Sequence, residues 1–363
     1  MKAWKLIECI KGIRPLVVLP DKIIFSRGNS LYKSGHDLQN PKLLCHLPVR
    51  SLVGRLANNF EFINRIMRLS INHAVIFDNA LFIARRSEIY RYDLSDGNLS
   101  LDFKIPLNRK LINFGEVTSD DGSKELVFGE YFSNKKMQPV SIWGRKSGRS
   151  NWSKRVEFAA GEIEHIHYVY NYNNRVYVLA GDRDQAASIW ISDTEFKNLR
   201  VLVRGNQSYR TAWIKRIADR FFIATDTQFK INQLFDFKLE KGIDLTLPLA
   251  SLNGSSIYAG HSEREIFFST AVEGGKITGN FLYDLLDRRL GPSILTSKAF
   301  LMTVDVTGIV SEIYSIEKDK WPFILGQIGT FSFPTGTMPN DTLYAYSIAL
   351  KGVHGCCLIF RRI

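Results

Sequence analysis

The sequence predicts an all-β protein built from tandem sheet units, and three observations carry that prediction. Apolar runs that alternate with polar residues recur along the whole chain. Aromatic residues make up 12% of the 363 residues, 24 of them Phe and 14 Tyr, and such side chains pack well on a pleated surface. The runs return at intervals of about 45 to 60 residues, the range of four-stranded units that stack on one another.

The first run of each unit is KIIFSRG (22–28), ALFIARR (80–86), ELVFGEY (125–131), RVYVLAGD (175–182), RFFIATD (220–226) and EIFFSTAVE (265–273), with a looser copy, GTFSFPTG, at 329–336. The second runs are EIYRYDL (88–94), VSIWGRK (140–146), ASIWISD (187–193), NQLFDFKL (232–239), NFLYDLL (280–286) and TLYAYSIAL (342–350). Alternation of this kind marks half-buried strands. One unit cannot bury both of its own faces, so neighbours must stack. Seven copies closing into a ring account for the length as a single domain, 1–363. The fold expected is therefore a β-propeller of seven four-stranded antiparallel blades. Six or eight blades fit the same spacing, because the first unit and the 290–330 stretch do not parse cleanly. An α/β fold would need a crossover helix between strands, and the spacers are too short for that. The best amphipathic window, LANNFEFINRIMRLS (56–70), reads as a helical insert or as the outer strand of the first blade.

The formal charge of +12 attracts anions, whether nucleic acid, an acidic membrane surface or an acidic glycan. No block of consecutive basic residues concentrates that charge, and the aromatics fall at strand positions rather than among Lys and Arg. Both points argue against nucleic acid. Cys9, Cys45, Cys356 and Cys357 have no metal-binding spacing and read as reduced thiols. The N-terminal MKAWKLIECIKGIRPLVVLP is interrupted by Lys5, Glu8, Lys11 and Arg14 and does not read as a secretory signal. No window approaches the roughly 18 apolar residues of a membrane span. The expectation is a soluble cytoplasmic protein.

In a propeller every second connection returns to the same end of the sheets, so corner residues of successive units gather on one face. The first blade offers Arg14 and Arg27, and the second Arg65 or Arg68, then Arg85 and Arg86. The third offers Glu116, Glu130 and Tyr131, and the fourth His165, His167, Asp182, Arg183 and Asp184. The fifth offers Gln207, Tyr209, Arg210 and Asp226, the sixth His261 and Glu273, and the seventh Gln327, Asn340 and Asp341.

Such a mixture suits a polyhydroxylated acidic ligand, since arginine forks clamp carboxylates and carboxylates accept from sugar hydroxyls. In a glycoside hydrolase, Glu130, Asp182 and Glu273 would supply the acid, base or nucleophile. In a polysaccharide lyase, His165 or His167 and Tyr209 would move the proton next to a uronate carboxylate, and Arg210 would neutralise that carboxylate. Arg14, Arg85, Tyr131, Arg183, Gln207 and Asp226 would bind substrate. Each residue also has a plainer reading. Glu130 and Asp182 each follow a strand ending in Gly, where an acid often caps a turn. Alternate histidines usually comprise one core and one loop residue. A metal would want a third ligand, for which Asp182 or Glu130 would serve. No motif requires a cofactor, and neither cofactor nor metal is expected.

The segment VSIWGRKSGRSNW (140–152) resembles a degenerate Asp-box, the Ser-x-Asp-x-Gly-x-Thr-Trp turn of sialidase-type propellers. Trp152 matches the last position and Gly148 lies near the glycine, while Ser147 stands for the aspartate and Asn151 for the threonine. SDTEFKNL (192–199) keeps the serine, with Thr194 for the aspartate and Leu199 for the tryptophan. More broadly, Gly129-Glu130-Tyr131, His165-Ile166-His167, Gly181-Asp182, GNQSYR (205–210) and FSTAVE (268–273) resemble uncharacterised sialidase-like propellers of bacterial surface-polysaccharide loci. That resemblance implies a carbohydrate-related role on an acidic bacterial glycan, with polysaccharide-assembly proteins as partners, and supplies no reaction. Ile13-Arg14-Pro15 matches the early sialidase Arg-Ile-Pro motif only in part. No arginine triad can be assigned, although Arg210 would be one member, so sialidase activity is not expected. The alternative to an enzyme is a non-catalytic propeller that binds a glycan or a protein partner.

Overall fold

A computed structural model describes residues 3–49, 63, 65, 66, 70–239, 242–275 and 278–363. Strand β1 (Trp4–Lys11) is followed by a sheet of β2 (Arg14–Val18), β3 (Ile23–Arg27), β4 (Ser30–Ser34) and β5 (Lys42–His46). The second sheet is β6 (His73–Phe77), β7 (Ala80–Arg85), β8 (Glu88–Asp93) and β9 (Leu99–Lys104). The third is β10 (Gly115–Thr118), β11 (Lys124–Gly129), β12 (Val140–Lys146) and β13 (Ser153–Phe158). The fourth is β14 (Ile166–Tyr172), β15 (Arg175–Ala180), β16 (Ser188–Asp193) and β17 (Arg200–Arg204). The fifth is β18 (Lys215–Ile217), β19 (Arg220–Ala224), β20 (Asn232–Phe237) and β21 (Ala250–Leu252). The sixth is β22 (Ala259–His261), β23 (Glu265–Ser269), β24 (Lys298–Asp305) and β25 (Val310–Glu317). The seventh runs β26 (Thr330–Ser332), β27 (Thr342–Ile348), β28 (Cys356–Arg362) and then β1.

These are the seven antiparallel four-stranded blades of a β-propeller, as the repeats predict. The chain's first strand completes its last blade, pairing Trp4 with Arg362 and Lys11 with Cys356. That is why the first unit is hard to parse: its opening residues belong to another sheet.

Strands β3, β7, β11, β15, β19 and β23 are buried almost continuously, because side chains on both faces are covered. The fourth strands β9 and β17 are half exposed and carry the polar residues. The first runs read from the sequence are therefore second strands.

Two readings need correction. NFLYDLL is not a strand but helix α1 (Phe281–Leu286), capped by the Asn280 side chain, which accepts from the Tyr283 amide at 3.2 Å. The Asp284 carboxylate accepts from the Thr278 amide and hydroxyl at 2.8 and 2.6 Å, which favours the helical turn over extended chain. The third strand of that blade is β24. In the last blade GTFSFPTG supplies the first strand, β26, not the second, so Asn340 and Asp341 precede the second strand, β27, instead of following it. A short helix α2 (Phe323–Gly326) lies in the stretch that did not parse. Most of the 56–70 window, including Arg68, lies outside the described residues. Arg65 is described and pairs with Asp319 at 2.7 Å. Among the described residues no helix is long and apolar enough to cross a membrane.

The chain divides into two compact units, residues Ile71–Ile214 and the remainder, Met1–Ser70 with Lys215–Ile363. In the 71–214 unit Trp152 packs edge-on to Phe82 and Phe128 and lies beside Phe103 and Phe114. Its indole N–H donates to Asp102 at 2.6 Å. The turn after β12 is tied to the preceding blade: the Ser147 hydroxyl and Gly148 amide both donate to Asp78, at 2.9 and 2.7 Å. The Asp-box-like segment thus joins neighbouring blades. At Gly129 a Cβ would sit 2.2 Å from Ile166 Cγ2, so only glycine lets the third and fourth blades approach this closely.

The other unit is centred on Phe25, Phe267, Phe331, Tyr344 and Leu358. Lys215, at the start of β18, is partly buried, and burial pulls its ammonium down from 10.5 to about 8. Nearby His261 is pushed down to about 3 by burial first and then by the charge of Lys215. The folded state therefore binds the Lys215 proton less tightly than the unfolded chain. The resulting penalty is complete below pH 8 and fades as pH rises from about 8 to about 10.5. Lys215→Met is expected to stabilise the protein at pH 7 by about 2 kcal/mol, the shift being discounted for partial exposure. Urea titrations at pH 7 and pH 10 check this, and an equal gain at both pH values defeats it.

Candidate functional site

The site lies within the 71–214 unit, at the corners of its third and fourth blades. His165 precedes β14, and His167 sits where the β14–β15 register slips between Ile166 and Tyr168. Such a bulge places an extra residue on one strand and re-aims its side chain. His167 Nε2 thereby comes within 2.8 Å of His165 Nε2. The two rings stack with centroids 4.8 Å apart.

Asp182 arrives from the end of β15. Gly181 turns the chain there at φ +82°, and a Cβ at this position would meet Ala186 O at 2.1 Å. The Gly181 amide donates to His165 O at 3.0 Å, continuing the ladder. Buried Glu164 then fixes the loop: its carboxylate accepts from the amides of Asp182 and Arg183, at 2.7 and 2.8 Å, and pairs with the Arg183 guanidinium. Asp182 Oδ1 consequently lies 3.1 Å from His165 Nε2 and 3.2 Å from His167 Nε2.

The third contribution comes from the short 3-10 turn Gln207–Tyr209, capped by the Asn206 side chain. Residues three apart on such a turn share a side. Gln207 Nε2 donates to Asp182 O at 3.0 Å. Arg210 reaches the same residue twice, Nη2 to Oδ1 at 3.2 Å and Nη1 to the carbonyl at 3.4 Å. Tyr131 covers the imidazoles, its ring centroid 4.3 Å from that of His165 and 6.1 Å from that of His167.

The histidine side chains are 5% and 2% exposed, whereas Asp182 is 34% exposed and opens the cluster to solvent. Burial holds His167 below the usual histidine range. Burial also pushes the Asp182 carboxyl up, but the two histidines beside it and the charge of Arg210 outweigh it and hold it well below the usual carboxylate range. Among the described residues, His165, His167 and Asp182 form the one group of three or more His, Cys, Asp or Glu whose ligand atoms converge closely enough for a metal ion.

Of the residues expected from the sequence, the structure brings together His165, His167, Asp182, Arg210, Gln207 and Tyr131. Arg183 borders them through Glu164, and Tyr209 is on the same 3-10 turn. Glu130 has a different setting. Its carboxylate is buried, pairs with Arg109, and accepts from the Ser141 amide at 2.9 Å and Trp143 Nε1 at 3.0 Å. Arg85, at the end of β7, lies 3.6 Å from Glu88 and over the Tyr90 ring. In the other unit, Arg14 lies over the Tyr346 ring at 4.9 Å, and Asp226 is buried just past β19. Glu273 is partly buried beyond β23, and its carbonyl accepts from the Gly291 amide at 2.9 Å. Sequence reasoning missed Glu164 and Arg109. The only signal for Glu164 is its place beside the first histidine.

No protein-family model matches the chain, and no curated protein matches it in sequence. Among solved structures it is similar to an oligogalacturonate lyase from Vibrio parahaemolyticus, at 10% identity and a TM-score of 0.59, over 98% of this chain and 90% of that one. It is also similar to a chain of the mitotic checkpoint complex, at 8% identity and a TM-score of 0.52, over 98% and 91%. Two neighbours of such different description share only the architecture. What the likeness shows is the fold, the seven-bladed β-propeller.

Proposed function

We propose that the protein acts on an acidic glycan and that the reaction is elimination next to a uronate carboxylate. The observation that carries this reading is the convergence of two imidazoles and a guanidinium on the partly exposed Asp182. Within it the Arg210 guanidinium is the positive group that would counter negative charge as it builds on a substrate carboxylate when the adjacent carbon loses its proton. In the reaction the C5–H bond yields its proton, the electron pair forms a C4=C5 double bond, the C4–O bond breaks and the departing oxygen is protonated. Tyr131, whose ring lies against both imidazoles, would take the C5 proton as its phenolate and return it to the departing oxygen.

Hydrolysis fits less well. It calls for a pair of available carboxyl groups about 5 to 9 Å apart, and Glu130 is committed to Arg109, Ser141 and Trp143. The net charge of +12 favours an anionic substrate. The resemblance to sialidase-like propellers of surface-polysaccharide loci supports a glycan, and the lyase among the structural neighbours supports elimination on the same fold. A second reading, a propeller that binds glycan without turnover, draws on the commitment of Glu130.

Incubation with uronate-containing oligosaccharides decides among these. Elimination yields products that absorb in the ultraviolet through the new double bond and whose masses sum to that of the substrate. Products heavier by one water mean hydrolysis. Calorimetric binding without any product means a binding protein. Either of the last two results ends the elimination reading.

A further inference from the structure

We infer that His165, His167 and Asp182 bind a divalent transition-metal ion through His165 Nε2, His167 Nε2 and Asp182 Oδ1. The argument begins at the far side of each ring. His165 Nδ1 lies 3.2 Å from Phe132 O, and His167 Nδ1 lies 3.0 Å from Thr211 O. A carbonyl only accepts, so each Nδ1 carries a hydrogen and donates it. A neutral imidazole so arranged presents a bare lone pair at Nε2. The two Nε2 atoms nevertheless lie 2.8 Å apart, and each lies 3.1 to 3.2 Å from the same carboxylate oxygen. Three lone pairs aimed at one point repel unless something positive stands among them. Arg210 answers Asp182 Oδ1 and the Asp182 carbonyl.

A second observation points the same way. Gln207 is 1% exposed and anchored by its amide N–H to Asp182 O, yet its Oε1 is buried with no hydrogen-bond partner among the described residues. A buried acceptor left over on the side chain that holds Asp182 signals a missing donor, such as water on a metal ion.

The donor set and its spacing select the kind of ion. Two imidazoles and one carboxylate suit first-row transition ions better than Mg²⁺ or Ca²⁺, which prefer oxygen. Ligands about 2.1 Å from an ion are about 3.0 Å apart when cis in an octahedron and about 3.4 Å apart in a tetrahedron. The observed edges of 2.8, 3.1 and 3.2 Å lie nearer the octahedral value. Three ligands on one face would leave positions for water or a substrate carboxylate. The donation of each Nδ1–H to a backbone carbonyl is the outer-shell support that metal-bound histidines need.

This deepens the reading above by naming the charge that opposes the substrate carboxylate, and it is tested without substrate. The full chain is stripped with chelator and titrated calorimetrically with Mn²⁺, Co²⁺ and Zn²⁺, and its metal content as purified is measured by mass spectrometry. One ion per chain is expected, with micromolar or tighter affinity. Asp182→Asn, which keeps the shape of the side chain, and His165→Ala should each weaken binding at least 100-fold, with circular dichroism confirming that they fold. Wild-type protein that binds none of the three ions below 100 µM, as an order-of-magnitude threshold, overturns the site. So does binding that both variants retain. So does ¹⁵N NMR showing an Nε2–H at neutral pH in the presence of excess ion, since a proton would then hold the cluster together. A protein that loads the ion but releases no product removes the elimination reading and keeps the metal site, and turnover in metal-free protein does the reverse.

Discussion

Glu130→Ala is expected to cost about 3 to 5 kcal/mol of stability, the usual result of removing one member of a buried ion pair. The carboxylate is 2% exposed, and three neighbours depend on it, Arg109, Ser141 and Trp143. Arg109, itself buried, pairs with it, donates to Pro139 O at 2.8 Å and lies 4.1 Å above the Phe132 ring. The Ser141 amide and the Trp143 indole N–H would lose their acceptor. Alanine leaves the guanidinium buried and unanswered. Glu130→Gln, which keeps an oxygen in place, should cost less, because it loses the charge but retains one of the hydrogen bonds. In a unit of this size the alanine variant corresponds to a fall in Tm of roughly 10 °C. The folded fraction should turn over substrate within about tenfold of wild type, far from the loss that follows removal of a transition-state contact. Urea titration with activity measured per folded molecule separates the two effects. An alanine variant as stable as wild type but inactive would return Glu130 to the chemistry.

Glu130 and Asp182 show where the sequence is legible and where it stops. Both follow an apolar strand that ends in glycine, and nothing local tells them apart. What divides them is Arg109, which comes from the loop before β10, 21 residues ahead of Glu130 and outside any strand period. The histidines were legible for a simpler reason. His-x-His predicts two rings on one strand face; in the structure His165 precedes β14, and the bulge at His167 brings the rings side by side. Gln207 and Arg210 were legible only as corner residues of the fifth blade, and the 3-10 turn that brings both onto Asp182 appears only in the structure. Glu164 looked like any loop acid, since its task, gathering the amides that follow Gly181, appears only once the backbone has turned. The blades were readable from alternation where a strand buries one face, and from short continuous apolar runs where it buries both. The reading failed at NFLYDLL, where alternating residues hide a helix set by Asn280 and Asp284, and at the last blade, where β1 comes from the other end of the chain.

Arg210→Lys is expected to lower kcat/KM by about 10³-fold while the protein keeps its fold. The substitution preserves the positive charge, so Asp182 is not left unanswered and the stability cost of an orphaned carboxylate is avoided. What it removes is the fork. The guanidinium spans Asp182 Oδ1 at 3.2 Å and the Asp182 carbonyl at 3.4 Å, fixing the carboxylate that both imidazoles face. An ammonium is a single point that cannot hold two acceptors in one plane. Gln207 would still hold the Asp182 carbonyl, so the loop should stay in place while the carboxylate gains rotational freedom. If Arg210 counters charge that develops only as the proton leaves, the loss should fall on kcat with KM nearly unchanged. If it merely anchors the resting substrate, KM should rise and kcat should hold. Steady-state kinetics with urea titration reads both quantities. A Lys variant within about fivefold of wild-type kcat/KM would reduce Arg210 to a counter-ion for Asp182, and the site would then need another source for the positive pole that elimination demands.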